Sequence, residues 1–344
     1  MDSLELSTSL SVDKAEKKNQ SIRVRLGRLR DSVCESGIFV LTASSAIIIV
    51  FIFIFILIKS WNIFAVNGIN FVLKSGFDQQ IIEAYHAPAD KPVWHFGALG
   101  LLLGSGLTTV GALLLAIPLG IGTAIVITEL SPRWMKGLLQ SFIRLLASIP
   151  SVIYGLVALL VVVPFIQDNF ITSELQLQYI KQFQLTGNSL LAGIAVLSIM
   201  ITPVIVALSV DAINAVPHRY KEASLALGLS HWRTIVKVIV PSAKSGITAG
   251  IILGTGRAIG EALALSMVSG GIGNIPNPAD GGVFFLTPIL TLASAIINKS
   301  ESMSVPSINA ALFACGVLLL VTCTTLSLFT KIVERSIRRR EGLE

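Results

Sequence analysis

Long apolar runs separated by polar segments dominate the chain, over about residues 37–58, 98–128, 138–166, 189–212, 246–268 and 308–330. A helix needs roughly 20 residues to cross a hydrocarbon layer about 30 Å thick, and each run is long enough. Lipid offers backbone amides no partner, so such runs are predicted to be helices whose hydrogen bonds close within the segment. The pattern predicts an all-α polytopic membrane protein with six transmembrane helices. The first run is longer than the core of a cleaved signal peptide and no small-residue cleavage site follows it, so it reads as a retained span. The expected organisation is a basic N-terminal tail over 1–36, a first transmembrane helix over 37–59 and an external segment over 60–96. A core of five helices over 97–331 follows, containing a polar loop over 211–244, and a short tail over 332–344 ends the chain.

Composition agrees with the pattern. Of 344 residues, 53% are hydrophobic and 13% charged, where soluble domains carry about 25% charged residues. The net charge of +6 is explained by topology and predicts no nucleic-acid partner. Lys and Arg crowd residues 1–36, 133–144, 219–244 and 331–340, while the polar segments on the other side of the spans hold only Lys59, Lys74, Lys91, Lys181 and Lys299, and Arg257 lies inside a span. By the positive-inside rule both termini and the loop 211–244 are cytoplasmic. In the N-terminal tail the first half is expected to be unstructured and the second to form a basic helix on the membrane surface. Trp61 and Trp94 stand near the borders of segment 60–96, as interfacial anchors do. Segments 167–188 and 269–307, rich in Gln, Asn, Gly and Pro, read as irregular lids that could receive a partner.

Several chemistries are excluded. Cys34, Cys315 and Cys323 form no CxxC pair, and His86, His95, His218 and His231 lack ligand spacing, so no metal or other cofactor is expected. Gly254-Thr255-Gly256 is followed by Gly260, one residue too late for a dinucleotide fingerprint, and the chain contains no Gly-Lys pair for a phosphate loop. No HExxH or paired-Asp site lies in the spans, so the chain is expected not to be an enzyme.

The chemistry that remains lies inside the membrane. Arg257 and Glu261 occur in the fifth run, where charges are rare and expensive. At about 1.5 Å per residue from Gly246 they sit near or just beyond the midplane. Four residues apart, they are expected to share a helix face and pair, on the same face as Gly246, Gly250 and Gly254. Those glycines allow a neighbouring helix to approach closely. In the third run Ser148, Ser151 and Tyr154 cluster around Pro150, and in the fourth Thr202 precedes Pro203. Hydroxyls beside an Arg are groups that a tetrahedral oxyanion requires. The bland alternative is a structural ion pair with hydroxyls bonded back to their own helices.

The loop 211–244 carries Glu222-Ala223-Ser224, then Gly228, then Val238-Ile239-Val240-Pro241. This resembles the EAA loop of ABC-transporter permeases, with Ser for the second Ala and Val for both aliphatic positions. The resemblance implies that Glu222, Ala223, Ser224, Gly228 and Pro241 belong to a helix-turn-helix that docks into a separate ATPase and carries its motion into the membrane. GRAIGEALA around Arg257 resembles the R-A-x-G-E motif of phosphate-specific ABC permeases, and SIPSVIYGL, IPLGIGTAIVITEL and TPILTLASAI fit the same family from about residue 95 onward. The match favours the PstC type. It implies a type I ABC importer permease fold and import of inorganic phosphate across the plasma (inner) membrane, with Arg257 and Glu261 on the substrate path. It also implies a second, PstA-like permease, two PstB-like ATPases and a PstS-like extracytoplasmic phosphate-binding protein, all assembled in lipid. A permease for sulfate or molybdate and a membrane subunit that senses phosphate and signals to a kinase are the rival readings.

Overall fold

The computed structural model describes residues 2–88 and 91–340, with side chains described for 35–88, 91–326, 328 and 332. Among the described residues the secondary structure is helical, and β pairing is limited to one bridge between Gly270 and Ile289. The chain divides into two units, Met1–Ile58 and Lys59–Glu344. The first is a single helix, the beginning of α1 (Asp2–Asn67). Its backbone is helical from Asp2, where the sequence predicts an unstructured start, and the basic side chains of the tail lie outside the described residues. Most apolar side chains from Ile38 to Ile58 are exposed, as suits a helix whose solvent is lipid.

The second unit contains α2 (Phe77–His86), α3 (Leu99–Ile125, continued by a π-helical turn Val126–Leu130) and α4 (Arg133–Ser148). Next come α5 (Ser151–Leu160), α6 (Val162–Phe170), α7 (Leu190–Asn214) and α8 (His218–Ala226). The chain ends with α9 (Lys244–Ile259), α10 (Leu263–Val268), α11 (Leu292–Asn298) and α12 (Pro306–Arg340). Among the described residues five helical segments are long and apolar enough to cross a membrane: Glu35–Asn67, Leu99–Leu130, Ser151–Phe170, Leu190–Asn214 and Pro306–Leu326. The pair His231–Ser242 and Lys244–Ile259, bent by 67°, makes a sixth.

Two of the expected spans are cut. The third begins at Ser151 instead of 138, because Ile149 and Pro150 are extended and the residue before a proline avoids the α region. The preceding stretch is a separate amphipathic helix, α4, with Arg133, Lys136, Gln140 and Arg144 along it and no buried residue. The fifth span stops at Ile259, and α10 starts again at Leu263.

At the centre lies α7, packed on α3, α9 and α4. It is 67% buried over its apolar stretch, against 39% or less for the other four unbroken spans. The glycine stripe works as the spacing predicts: a Cβ on Gly246, Gly250 or Gly254 would meet Ala212, Leu208 or Ile205 of α7. At the end of the unit away from α8, Phe77, Ile81 and Ala84 of α2 join Phe71, Phe96, Leu101, Ile308 and Cys315 in one cluster. Asp78 pairs with Lys299 at 2.8 Å and accepts from the Gly273 amide, tying α2 to the segment before α12. Trp61 is exposed, whereas Trp94 packs against the cluster instead of standing free at a border.

Candidate functional site: a broken span and a docking loop

Arg257 occupies the last turn of α9, and Glu261 lies in the break before α10. The expected pairing is absent, because the helix that would stack them ends between them. Each charge instead serves a helix end. Glu261, 8% exposed, accepts from the Ala264 amide in the first turn of α10 at 3.0 Å. Arg257 reaches across to α4 and donates from Nη1 to the Ala147 carbonyl at 3.2 Å. A cation beside helix C-termini and an anion beside an N-terminus complement the helix dipoles.

The C-terminus of α4 gathers several predicted residues. The last carbonyls of a helix lack intrahelical donors. Here Ser148 Oγ donates to Leu145 at 2.7 Å, Tyr154 Oη to Leu146 at 2.8 Å and Arg257 to Ala147. Ser151, half-buried, opens α5 one residue past Pro150. Thr202 is not part of this group: its hydroxyl donates to Ser198 of its own helix at 2.6 Å. The hydroxyls of Ser148 and Thr202 thus follow the bland expectation of backbonding, while Tyr154 and Arg257 bridge elements. The guanidinium has five N–H donors and commits one to Ala147, so it retains donors for an oxyanion. Ser148, Leu253, Gly256 and Leu263 are exposed on this chain, so a surface, not a closed tunnel, flanks the site.

The loop between α7 and α9 has a well-defined build. α8 closes in a Schellman turn, with Gly228 N–H donating to Leu225 and Leu229 N–H to Ser224. Gly228 has φ +83 and open space around its Cβ position, so backbone conformation alone requires glycine there. Glu222 and Ala223 are exposed and Ser224 is buried. Ser224 Oγ donates to the Lys221 carbonyl at 2.8 Å and shares a hydrogen bond with the Thr234 hydroxyl at 3.0 Å, pinning α8 to the second half of the loop. The residue that departs from the Glu-Ala-Ala pattern is therefore the one that bonds the loop together. Pro241, exposed, begins the short turn before the 67° bend into α9. Tyr220, Leu225, Leu227 and Trp232 leave large apolar surfaces uncovered around α8. A contact missed by sequence reasoning joins Lys221 to Glu129 of the π turn at 2.5 Å.

A bundle of membrane-length helices, with a span broken beside a half-buried Arg and a buried Glu and a structured polar loop bearing an apolar patch, defines an integral membrane transport subunit. The profile of binding-protein-dependent transport system inner membrane components matches residues 116–339, and the chain belongs to that family. It is 37% identical over 307 residues to a Bacillus subtilis (strain 168) protein named "Probable ABC transporter permease protein YqgH", covering 89% of each chain. It is 31% identical over 290 residues to the phosphate transport system permease protein PstC of Pasteurella multocida (strain Pm70), covering 82% of this chain and 85% of that one. A solved bacterial ABC transporter involved in the import of alginate shares the fold, with TM-score 0.55 and 14% identity, over 90% of this chain and 99% of that one. The chain is accordingly a multi-pass inner-membrane permease subunit of an ABC importer, whose partners are an ATPase and a substrate-binding protein.

Proposed function

We propose that the chain carries inorganic phosphate inward as the PstC-like half of an ATP-driven importer. Its partners are a PstA-like permease, two PstB-like ATPases and an extracytoplasmic PstS-like binding protein. The observation that carries this reading is the break in the fifth span, where Arg257 holds spare guanidinium donors beside Tyr154 within the membrane. A fork of N–H donors suits a tetrahedral oxyanion, and its charge offsets part of the cost of bringing an anion into low dielectric. The PstC relatives favour phosphate. The exposed flank of the site suits completion of the path by a second permease. Glu222, Ala223 and the apolar residues around α8 form the ATPase contact, with both termini on the same cytoplasmic side.

The test is ATP-dependent uptake of labelled phosphate into vesicles holding the full complex, with sulfate and molybdate as competitors. Uptake resistant to both competitors, abolished in Arg257→Gln and in Glu222→Arg with assembly intact, is the expected result. Preference for sulfate or molybdate, or normal uptake by Arg257→Gln, overturns the assignment.

A further inference from the structure

The docking helix α8 is continuous in the chain with two spans, α7 before it and α9 after it. A third span reaches it through side chains. Lys221 Nζ lies 2.5 Å from Glu129 Oε2, and Glu129 belongs to the π-helical turn that ends α3. Lys221 and Ser224, three residues apart, share the inward face of α8. Glu222, Ala223 and Ala226 are exposed. Ser224 bonds within the loop, so among the described residues the Lys221–Glu129 pair is the polar side-chain contact that leaves it from α8.

The surroundings suit a mechanical link. The Glu129 side chain is 11% exposed and that of Lys221 31%, which limits screening by salt. Lys136 of α4 donates to the Thr128 carbonyl, so the same π turn is held from a second side. A polar cavity of about 110 Å³ beside the pair, lined in part by Asn214 and His218, leaves room for it to shift. π turns interrupt the regular α ladder and recur at functional places in helices.

We propose that Glu129 is a positioning residue that couples the second span to the docking helix through Lys221. When the ATPase displaces α8, the end of α3 moves with it, and three spans respond instead of two. The inference rests on the reading of the chain as an ATP-driven phosphate importer, which supplies the natural readout: ATP hydrolysed per phosphate imported.

The experiment uses the full complex in vesicles. Glu129→Gln and Lys221→Met are expected to assemble and hydrolyse ATP while raising the ATP used per phosphate by roughly tenfold, a typical coupling between sites. Lys221→Arg keeps the charge and is expected to keep the wild-type ratio. A second measurement does not depend on the substrate. Spin labels at the exposed Leu130 and Arg219, in a background lacking the native cysteines, should hold one separation with and without ATP in wild type and two in Glu129→Gln. A wild-type ATP-to-phosphate ratio in both neutralised variants, or a label separation that Glu129→Gln leaves unchanged, overturns the link. If the variants lose only the amount of assembled complex, the pair is structural and the proposal fails. A wild-type complex that hydrolyses ATP and imports no phosphate counts against the transport reading instead, and the label separation still decides the link.

Discussion

Adding one methyl group along α9 probes how closely two spans must approach. A Cβ on Gly246 would lie 2.5 Å from Ala212 Cβ, and one on Gly250 would lie 3.0 Å from Leu208 Cβ. On Gly254 the nearest atom is Ile205 Cγ1 at 3.1 Å, and on Gly256 nothing lies within 4 Å. Carbon atoms rest at about 3.5–4.0 Å, so Gly246→Ala forces α9 and α7 apart by about 1 Å or more. The neighbour is a short Ala side chain that cannot rotate away. Overpacking of that kind costs about 1–3 kcal/mol. Gly254→Ala meets the flexible end of an Ile and should cost the least of the three. Gly256→Ala gains up to about 1 kcal/mol of helix propensity with no clash. Thermal unfolding of the purified complex should rank the variants Gly246→Ala below Gly250→Ala, then Gly254→Ala, with Gly256→Ala at or above wild type. Equal midpoints for Gly246→Ala and Gly256→Ala would refute the close approach of α9 to α7.

Other substitutions separate backbone, hydrogen-bond and ion-pair effects. Gly228→Ala meets no neighbour but forces φ +83 on an L residue, at about 1 kcal/mol, so the complex should lose thermal stability while Gly228→Asn loses less. Ser224→Ala should keep transport but lower stability by about 1 kcal/mol, because the buried Thr234 hydroxyl loses its partner; an unchanged midpoint would count against the bond. Asp78→Asn removes the ion pair to Lys299, and limited proteolysis should cut segment 269–307 faster than in wild type, with cleavage at the α8 loop unaltered.

Local signals that repeat along the chain were readable, and those that depend on distant partners were not. The spans appear because lipid demands uninterrupted apolar helices, and the glycine stripe appears because its spacing of four keeps one face. The start of the third span lies about three and a half turns later than expected, because Leu138, Ile143 and Leu146 extend an apolar run into what is an amphipathic helix. Pro150 was visible, yet whether a proline bends a span or ends a helix depends on what lies on either side of it. The pairing of Arg257 with Glu261 failed for a related reason: spacing of four implies a shared face only where the helix continues, and α9 stops at Ile259. The Lys221–Glu129 contact joins residues 92 positions apart, and no periodicity of either segment announces it. The motif alone does not show what Ser224 does, because its bonding partner, Thr234, lies outside the pattern of motif positions.

The position of Arg257 also constrains how an anion could use it. The Ala147 carbonyl sits at a helix C-terminus, the negative end of the dipole, which by itself repels an anion. Arg257 masks that end, so removing the side chain does more than delete a charge: it leaves an uncompensated carbonyl beside the break in the span. Arg257→Lys distinguishes the two effects. The ammonium keeps the charge and can still reach a carbonyl, but it lacks the planar fork that grips two oxygens at once. If the guanidinium only caps α4, Arg257→Lys should import phosphate as wild type does. If the fork also holds the anion, half-maximal uptake should shift to higher phosphate by roughly tenfold, since losing one charge-assisted bond costs about 1.5–3 kcal/mol. Uptake kinetics across phosphate concentrations in the assembled complex decide between them, and a Lys variant indistinguishable from wild type would reduce Arg257 to a structural cap.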